Sequence, residues 1–572
     1  MFAAVALLLV HVCAPLQVAA SAYTRDGAQA ARPEVASSIS GTIRDSAGGV
    51  IAGASIVIRS GERDEFIVSG PDGRFSVQAP SAGEVLIIVR AAGFAELHYS
   101  VAAGAPRANV DLVVVPATVT QVVTVTATRG ERRTGDVPAS VSMLDRQDIK
   151  QSPALVADDV LRQIPTFSLF RRTSSLASHP TAQGVSLRGI GPSGVSRTLV
   201  LVDGVPVNDP FGGWVYWSRV PLESADRIEV VDGSSSSLYG NYAMGGVINF
   251  VTGPATPKTL DVKAQYGSRN TPKVDFVGSH VWGKAGVTVD GNIFDTDGYA
   301  IVRAGERGRV DNNAAARFWN LNVKLDYAPT DRVRGFVRAG YFNENRDNGK
   351  ASTIDGTEEA NDTRWRAASA GVRVRMPDQS DLQATVFTDV ETFHSNFLAV
   401  PASTPPRNIG RMTLTQKVPT TSVGGMAQWS RAVGTKQYFT AGTDFRWVDG
   451  DSQENGLDAA TGTQVTLKRV SGGTQRSVGA FVQDVIVPVP QLTLTLSARV
   501  DGWRNYDGHN LETSLIGAAV NNVPSLPTRS DTVASPRLAA RYHVTRRVDV
   551  WGDLGWGFRA PTLNELYRQF RV

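Results

Sequence analysis

The chain contains 572 residues, of which 42% are hydrophobic and 20% are charged. This length is too great for one ordinary domain, and the composition is typical of folded proteins, so we expect several folded domains. The net charge of +4 is small, and the Lys and Arg residues do not gather into a basic run of the nucleic-acid-binding type. Nucleic-acid binding is therefore not expected.

The N-terminus predicts export. Residues 2–16 are apolar over a length that suits a signal-peptide core and is short for a membrane span, and small residues follow. We expect residues 1–22 to be a signal peptide, although Met1 is not followed by Lys or Arg, which leaves open a start further upstream. Lipid attachment at Cys13, the only cysteine, is the alternative, which Val12 disfavours because that signal has a small residue there. After cleavage the chain has no cysteine, and hence neither a disulfide nor a cysteine-bound metal.

Residues 38–116 predict a small all-β sandwich. Strand-length apolar runs such as "SISGTIRD", "ASIVIRS" and "EVLIIVRAAGF" alternate there with Gly, Asp and Pro turn residues. The pieces "GTIRDSAGGVIAGASIVI", "GPDGRFSV" and "AAGF" resemble the carboxypeptidase regulatory-like domain. No metal-binding triad of His and Glu accompanies them, so we expect neither peptidase activity nor a metal in this domain.

The stretch "QVVTVTATRGERR", residues 121–133, predicts a single short strand. Valines alternate with threonines in it, and no turn signal follows, so the strand has no obvious hairpin partner. An unpaired strand edge is a template for another chain. The charged residues 129–133 are then expected to be a flexible leash. The alternative is that the stretch is the last strand of the preceding sandwich.

Residues 152–167, "SPALVADDVLRQIPTF", predict a helix capped by Ser152. Apolar side chains recur every four residues on one face: Val156, Val160 and Ile164. Asp158 and Asp159 are expected on the solvated surface, because neighbouring helical residues do not face one another.

Three glycines match the dinucleotide-binding spacing G-x-G-x-x-G: Gly189, Gly191 and Gly194. That motif works by opening a helix, whereas the following "VSRTLVLVDG" is typical of a strand that ends in an Asp-Gly turn. We therefore expect these glycines to form tight turns rather than a nucleotide site.

Residues 130–252 contain a series of short glycine-rich and β-branched motifs: "LRGIG", "RTLVLVDGVPVN", "ADRIEVVDG", "SLYG" and "GGVINFVT". In this order they resemble the plug of a TonB-dependent outer-membrane receptor. The resemblance assigns these plug-motif residues: Arg188, Gly189, Asp203, Gly204, Glu229, Gly233, Tyr239, Gly240, Gly245, Gly246 and Asn249. The family usually has Arg-Gly-Pro where this chain has Asp232-Gly233-Ser234, so polar contacts of that arginine must have other partners here.

Residues 259–572 predict a membrane barrel. Segments such as "LDVKAQY", "LNVKLDY" and "LTLTLSARV" alternate apolar and polar residues, which is typical of strands that face lipid on one side and a polar lumen on the other. Short turns are predicted at residues 328–332, 376–381, 432–436 and 487–491, and long polar loops at 343–363, 449–474 and 501–532. Six aromatic residues near strand ends are expected to form interfacial girdles: Trp282, Tyr299, Tyr327, Trp429, Trp447 and Trp503.

The predicted fold is therefore mainly β: a small N-terminal β-sandwich, an α+β plug and a transmembrane antiparallel β-barrel. About 13 strands can be counted, whereas the resembled receptors have about 22. Residues 555–572, "GWGFRAPTLNELYRQFRV", resemble a family motif that normally lies well inside the barrel sequence. We accordingly expect further strands beyond residue 572, so that this chain is a C-terminally truncated receptor.

The resemblance implies active transport across the outer membrane, with the N-terminal domain in the periplasm and no enzymatic activity or cofactor. The partners implied are the inner-membrane energy transducer TonB and outer-membrane lipid. The coupling segment, residues 121–129, is similar to the TonB box, and its expected pairing residues are Val122, Val123, Thr124, Val125, Thr126, Ala127 and Thr128.

The expected ligand is a ferric siderophore, with cobalamin as the alternative and a passive porin or adhesin as a different class of function. Candidate ligand-binding residues lie in the two outward plug loops, 171–183 and 208–219: Arg171, Arg172, His179, Trp214, Tyr216 and Trp217. The aromatic residues would stack on a planar ligand, and the basic residues would attract an anionic chelate. Packing of the aromatic residues against the barrel wall is the alternative.

Overall fold

The computed structural model describes residues 37–45, 48–60, 63–79, 83–91, 97–103, 109–114, 123–124, 126–127, 129, 132–133, 137–171, 173–191, 194–545 and 548–568. The predicted signal peptide lies outside these ranges. The chain divides into two compact units, Met1–Gln121 and Val122–Val572. No helix in the described part of the chain has the length and apolar character needed to cross a membrane.

The first unit contains seven described strands. They are β1 (Ser37–Asp45), β2 (Ser55–Ser60), β3 (Arg63–Val68), β4 (Arg74–Ala79), β5 (Val85–Arg90), β6 (Leu97–Val101) and β7 (Val110–Val114). They form two sheets, in the orders β4-β1-β7 and β3-β2-β5-β6. Apolar residues of both sheets, including Ile43, Ile56, Ile87 and Leu112, share one buried core. The predicted sandwich is confirmed.

The second unit begins with the coupling segment and the plug. Their elements are β8 (Val123–Thr124), β9 (Arg132–Arg133), β10 (Ser140–Asp145), α1 (Arg146–Gln151), α2 (Ala157–Leu161), β11 (Phe167–Leu169), β12 (Val185–Leu187), β13 (Thr198–Val202), β14 (Val205–Pro206), β15 (Ala225–Asp232), α3 (Ser236–Tyr239) and β16 (Gly246–Thr252). Short 3-10 helices lie at Pro180–Ala182 and Trp217–Arg219. The central sheet has the order β10-β15-β16-β13-β14, in which β13 and β16 are parallel.

The plug sheet is covered on both faces. Every residue of β13 is buried, and the apolar side chains of β13, β15 and β16 pack with the helices into one core. The helix predicted over residues 152–167 is shorter than expected, because α1 ends before it and Ser152 is the C-cap of α1. Its predicted face is buried, as expected: Val156, Val160 and Ile164. The glycine-rich stretch leads into strand β13, as predicted.

The barrel wall is one antiparallel sheet of fourteen strands. They are β17 (Thr259–Gly267), β18 (Thr271–Trp282), β19 (Ala285–Tyr299), β20 (Asp311–Thr330), β21 (Val333–Ala351), β22 (Glu358–Arg375), β23 (Asp381–Ala399), β24 (Arg411–Val433), β25 (Gln437–Leu457), β26 (Val465–Val489), β27 (Leu492–Ser514), β28 (Arg529–Ala534), β29 (Arg537–Thr545) and β30 (Val548–Gly555). A 3-10 helix lies at Ala304–Glu306, and helix α4 at Leu563–Tyr567. Each strand from β17 to β27 pairs with the next one along the chain, and β28 and β29 both pair with β27. The count agrees with the roughly 13 strands expected from alternation.

Strand β20 illustrates the predicted alternation. Its outward side chains include Leu321 and Leu325, which are 41% and 52% exposed, and they lie between Trp319 and Tyr327. Its inward side chains Phe318 and Asn320 are buried. Trp319 stacks on Tyr341 of the neighbouring strand with ring centroids 4.9 Å apart. An outward apolar band edged by aromatic rings is the arrangement expected of a lipid-facing wall.

The four predicted short turns are confirmed, but the three predicted long loops are wrong in large part. Strands β21, β22, β25, β26 and β27 continue well into them, to or from Ala351, Glu358, Leu457, Val465 and Ser514. Alternation of apolar residues stops there because both faces carry polar groups, while the backbone stays paired between strands. Of the six expected girdle aromatics, Trp503 instead lines a cavity between plug and wall, together with Arg499.

Candidate functional site: the coupling segment and the plug interface

The coupling segment lies against the plug. Strand β8 pairs antiparallel with β9, Val123 opposite Arg133 and Thr124 opposite Arg132. The expectation that this strand has no hairpin partner is therefore wrong, since residues only eight to ten positions further along return to pair with it. The segment belongs to the second compact unit, which does not favour the alternative of a last sandwich strand. Val122, Val125 and Thr128 lie outside the described residues.

Three plug-motif residues converge on Thr126. Its backbone N–H donates to Glu229 Oε2 at 2.8 Å, and its carbonyl oxygen accepts from the Tyr239 hydroxyl at 2.9 Å. Its hydroxyl oxygen accepts from Asn249 Nδ2 at 3.1 Å. Glu229 and Thr126 are fully buried, so these bonds are shielded from water. The backbone and side chain of this one residue thus fix the coupling segment in the plug.

Arg129, expected to start a flexible leash, is instead buried. Its guanidinium lies 4.3 Å from the ring centroid of Tyr239 and 4.6 Å from that of Phe481. Its carbonyl oxygen accepts from Gln428 Nε2 at 2.7 Å, and Asp444 is 3.8 Å from its guanidinium. Burial leaves only 7% of this side chain exposed. Arg129 therefore anchors the coupling segment to both the plug and the barrel wall.

A second arginine, on the wall, faces the same region. Arg499 of β27 forms a two-pronged bond with Asp444, both distances being 2.7 Å, and bonds Asp501 at 2.6 to 2.8 Å. It also donates to the carbonyl oxygen of Leu238 in α3 at 3.1 Å. A Cβ atom at Gly240, whose φ is 67°, would lie 2.7 Å from Arg499, so this approach requires glycine. We call the contact formed by Arg129, Arg499 and Asp444 with Tyr239 and Leu238 the inner contact.

Asp232-Gly233-Ser234, where the family usually has Arg-Gly-Pro, makes its own hydrogen bonds. Asp232 accepts from the Ser140 hydroxyl at 3.1 Å, and Ser234 donates to the Trp556 carbonyl oxygen at 2.8 Å. Two cations contact the following helix α3: Arg129 lies over the ring of Tyr239, and Arg499 donates to the carbonyl oxygen of Leu238. The remaining plug-motif residues lie at turns and strand ends: Arg188, Gly189, Gly233, Gly245 and Gly246.

Asp203 and Gly204 form the two-residue turn between β13 and β14. Both have positive φ, 51° and 81°, as hairpin turns of this kind require. The Asp203 carboxylate accepts from the backbone and the hydroxyl of Thr252 at 2.8 and 2.7 Å. From the wall, Arg338 and Lys324 approach it to 3.4 and 3.8 Å. The turn therefore adds a further polar link between plug and barrel.

The second plug loop makes an apolar contact with the wall. Trp214 and Tyr216 are 5% and 1% exposed and pack with Phe294, Phe318, Phe342 and Trp365 of the barrel strands. The Tyr216 ring lies 5.7 Å from that of Trp365 and 6.3 Å from that of Phe342. We call this the outer contact. Trp217 is fully buried in the plug core, edge-on to Phe167 at 5.7 Å. These positions correspond to the packing alternative, and a stacking role in ligand binding stays a prediction.

The first plug loop carries the basic candidates. Arg171 is exposed beside Phe170, and Arg172 lies outside the described residues. His179 lies 5.8 Å from the ring of Phe397, and its Nε2 is 3.2 Å from the Asn361 amide. Burial, reinforced by the nearby cations of Arg346, Arg568 and Lys350, lowers the pKa of His179 to about 3. The ring is therefore neutral at physiological pH and does not attract anions by charge.

Asp158, expected on the solvated surface, is fully buried. Its carboxylate accepts from the Ser175 hydroxyl at 2.6 Å and from the Ser175 backbone N–H at 3.1 Å. Burial raises the pKa of Asp158 to about 6, and the neighbouring carboxylate of Asp159 adds to the effect. Helix α2 thus holds the first plug loop through this side chain. The prediction failed because the loop covers a helix face that the sequence pattern marks as polar.

A buried carboxyl pair joins the second plug loop to the wall. Asp209 lies beside Glu391 of β23, and both are at most 2% exposed. Burial raises the pKa of Asp209 to about 6. Arg219 lies 3.7 Å above the ring of Trp365 and 3.7 Å from Asp389 in the same region. Within the described ranges, no group of three or more His, Cys, Asp or Glu residues could hold a metal ion.

Comparison with known proteins identifies the family of this chain. Residues 133–247 match the TonB-dependent Receptor Plug Domain, and residues 257–571 match the TonB dependent receptor-like, beta-barrel family. The chain belongs to the TonB-dependent receptor family. Residues 38–115 match the Carboxypeptidase regulatory-like domain. TonB-dependent receptors are transporters rather than enzymes, in agreement with the prediction for this chain.

Solved structures support the same fold. The copper transporter OprC matches with a TM-score of 0.58 at 17% identity over 73% of this chain and 64% of its own. A mutant of the ferric enterobactin receptor PfeA from Pseudomonas aeruginosa matches at 0.56 and 20% identity, over 78% and 65%. The ferric-catecholate import receptor Fiu from E. coli matches at 0.57 and 14% identity, over 75% and 71%. The chain thus spans just under two thirds of the first two receptors.

Proposed function

We propose that this TonB-dependent receptor takes up a ferric siderophore across the outer membrane at the expense of inner-membrane energy. The observation that carries the proposal is the burial of Thr126 by Glu229, Tyr239 and Asn249, more than 100 residues away in sequence. A coupling strand stored in this way is kept from any partner until the plug changes. The domain boundaries 38–116, 130–252 and 259–572, the outer-membrane location and the periplasmic sandwich belong to the same proposal.

Coupling would occur by strand addition to TonB. Within the described part of the segment, strand β8 holds its β9 partner through two residue pairs, Val123 with Arg133 and Thr124 with Arg132. So short a pairing is marginal by itself, and most of the hold comes from Thr126 and Arg129. Once those contacts open, residues 122–128 are free to form a longer ladder with the transducer.

Replacing Val123 with Pro tests the coupling assignment. Proline removes a backbone donor that strand addition needs, so transport should fall to background while ligand binding is retained. Uptake and equilibrium binding are measured on the same cells, with Val123→Thr as the matched control because threonine keeps both the donor and the strand preference. Equal loss of binding and uptake would contradict the assignment.

The siderophore class is supported by two receptors of iron chelates among the similar structures, and the copper transporter among them supports metal uptake more broadly. Arg171, Arg172 and the loop that holds His179 are our candidate ligand contacts in the first plug loop, with Trp214, Tyr216 and Trp217 in the second, where they would have to become exposed on ligand binding. Cobalamin remains the alternative ligand.

Uptake by a receptor-deficient strain that expresses this protein decides among these functions. Ferric enterobactin, copper ion and cobalamin are supplied separately, with and without a protonophore. We expect accumulation of ferric enterobactin that the protonophore abolishes. Accumulation of cobalamin alone would select the alternative ligand, and uptake that persists without proton-motive force would indicate a passive porin.

A further inference from the structure

The residues after the last described strand form an extended segment inside the barrel. We call residues 556–568 the strap; it ends in helix α4, which is capped by Thr562 and Glu565. Ala560, Thr562, Leu563 and Tyr567 are each at most 3% exposed. The proposed function does not use this segment, although its contacts reach both ends of the plug.

The inner end of the strap is bound to the turn that precedes Tyr239. Ser234 donates to the Trp556 carbonyl oxygen at 2.8 Å, and the Phe558 N–H donates to the Ser236 hydroxyl at 3.4 Å. The Ala560 N–H donates to the Asn241 side-chain oxygen at 2.9 Å. These three plug residues flank or belong to α3, the helix that carries Tyr239.

The outer end of the strap is bound to the second plug loop and the wall, and it reaches the first plug loop through a shared wall residue. The Asn564 N–H donates to the Phe211 carbonyl oxygen of the second plug loop at 3.1 Å. Arg568 donates to Glu454 of β25 at 2.7 Å and lies 5.3 Å from the ring centroid of Phe397, which His179 of the first plug loop also contacts. The strap therefore touches the surfaces where we place ligand.

Tyr567 anchors this outer end in a slot between β26 and β27. A Cβ atom added at Gly508 would lie 2.4 Å from Tyr567 Cε1, and one at Gly473 would lie 2.8 Å from Cε2. The ring thus occupies space that only two glycines leave open. Its hydroxyl has no hydrogen-bond partner among the described residues, so the ring itself provides the anchor.

We propose that the strap is a mechanical link between the outward plug loops and the coupling segment, with Tyr567 as its positioning residue. Displacement of the outer end shifts residues 234–241 through the strap, and α3 then withdraws the Tyr239 hydroxyl from Thr126. The path consists of direct hydrogen bonds and the short helix α3. One end of the strap contacts the second plug loop, and the other contacts the residues around α3. In transport, ligand arrival would supply the displacement, and only this last step rests on the proposed function.

The test measures exposure of the coupling segment without any ligand. A cysteine is introduced by Ala127→Cys at a position that is 3% exposed, and its reaction with a membrane-impermeant maleimide is followed on outer-membrane fragments. Tyr567→Ala empties the slot, and Gly508→Ala drives the ring out of it. Each should raise the labelling rate at least about 5-fold, the lower end of ordinary coupling between two sites. The labelling rate of the double variant should be close to that of either single variant, because both substitutions remove the same anchor.

Three controls isolate the link. Tyr567→Phe keeps the ring, and Gly502→Ala adds a methyl group into open space on the same strand as Gly508, so both should label within about 2-fold of the parent. A separate cysteine from Ala157→Cys, fully buried in the plug core, reports general loosening and should stay unreactive. Unchanged labelling at position 127, or equal increases at positions 127 and 157, would overturn the proposal.

Ferric enterobactin is then added to separate the link from the transport function. In the parent it should raise labelling at position 127, and in Tyr567→Ala it should bind without a further rise. A parent that does not respond contradicts the proposed siderophore while the ligand-free result still decides the strap. A Tyr567→Ala variant that responds as fully as the parent contradicts the strap alone.

Discussion

The plug touches the barrel wall in two chemically different ways. At the outer contact, Trp214 and Tyr216 lie among wall residues such as Phe342 and Trp365, and the packing is mainly aromatic. At the inner contact Arg499 and Asp444 of the wall meet Arg129 and the plug, beside a cavity of about 100 Å³. Both contacts are buried, but the first consists mainly of aromatic rings and the second mainly of charged groups.

The difference shows where the plug can yield. Opening an apolar contact costs free energy in proportion to the apolar area that becomes exposed to water, and water offers no compensating interaction. Charged and polar groups regain hydration when they separate, and water that enters the inner cavity can take over their hydrogen bonds. The inner contact includes Arg129 of the coupling segment, which lies 3.8 Å from Asp444. A force applied to the coupling segment would therefore act first on the inner contact, whose hydrogen bonds water can replace.

Removal of Arg499 should have the largest effect. Arg499→Met removes the ion-pair partner of the buried Asp501 and leaves Asp444 with Arg129 at 3.8 Å, which should lower the free energy of unfolding by about 3–5 kcal/mol. The measurement is the temperature at which each variant loses its heat-modifiable electrophoretic mobility. The control is Arg504→Met, on the same strand but exposed on the outward face. Similar stability of the two variants would mean that the inner contact carries little of the stability.

Truncation at the outer contact should come next. Phe342→Ala removes a ring that is 2% exposed against Tyr216 and should destabilise the protein by about 3 kcal/mol. The same thermal assay applies, with Val337→Ala on the outward face of the same strand as the control. Labelling of a cysteine at position 127 should stay low, because the outer contact does not hold the coupling segment. Strong labelling there would contradict the division into two contacts.

Glu229 should affect the coupling segment more than the fold. Glu229→Ala removes the charged acceptor of the Thr126 N–H, a bond worth about 2 kcal/mol, and should raise labelling of the cysteine at position 127 at least about 10-fold. Asp226→Ala, half exposed on the same strand, is the matched control. If both variants label alike, Glu229 does not hold the segment.

The smallest effect expected is the pH response of the first plug loop. The pKa of His179 is lowered to about 3 from its ordinary 6.5, so the neutral ring stabilises the loop above pH 6.5, and this stability is lost progressively as pH falls towards 3. Hydrogen exchange over residues 173–183 at pH 7 and pH 4.5, corrected for intrinsic rates, should reveal weaker protection in acid. His179→Gln should respond less to pH. An equal response in the variant would assign the effect to groups other than His179; the raised pKa of Asp158 acts in the opposite direction, because its protonation favours the folded loop as pH falls.

Several features of the wall and plug could be predicted from local pattern. Alternation along strands such as β17 and β20 indicates lipid on one side and a polar lumen on the other, and the outward residues of β20 from Trp319 to Tyr327 follow this rule. The short turns follow from breaks in that alternation. Where the pattern stops, prediction stops as well, and the ladder between β21 and β22 continues through polar residues that resemble a loop.

The candidate site was predicted only in part. The motif residues Glu229, Tyr239 and Asn249 and the coupling residue Thr126 are identifiable from the sequence, but the contacts between them are not, because Thr126 lies more than 100 residues away from each. Arg129 resembles any solvated cation at the start of a charged run. Its burial depends on Tyr239 and Phe481, which approach from the plug and from β26.

The amino-acid sequence by itself determined the three kinds of domain, the outward apolar faces of the wall strands and the motif that forms the plug sheet. These properties depend on the order of neighbouring residues, which alternation and turn chemistry express directly. Only the tertiary structure decided that Thr126 and Arg129 are buried against the plug, that Asp158 is buried and that the strap contacts both α3 and the second plug loop. Those outcomes depend on which distant side chains close over a group and exclude water, and local sequence carries no record of them.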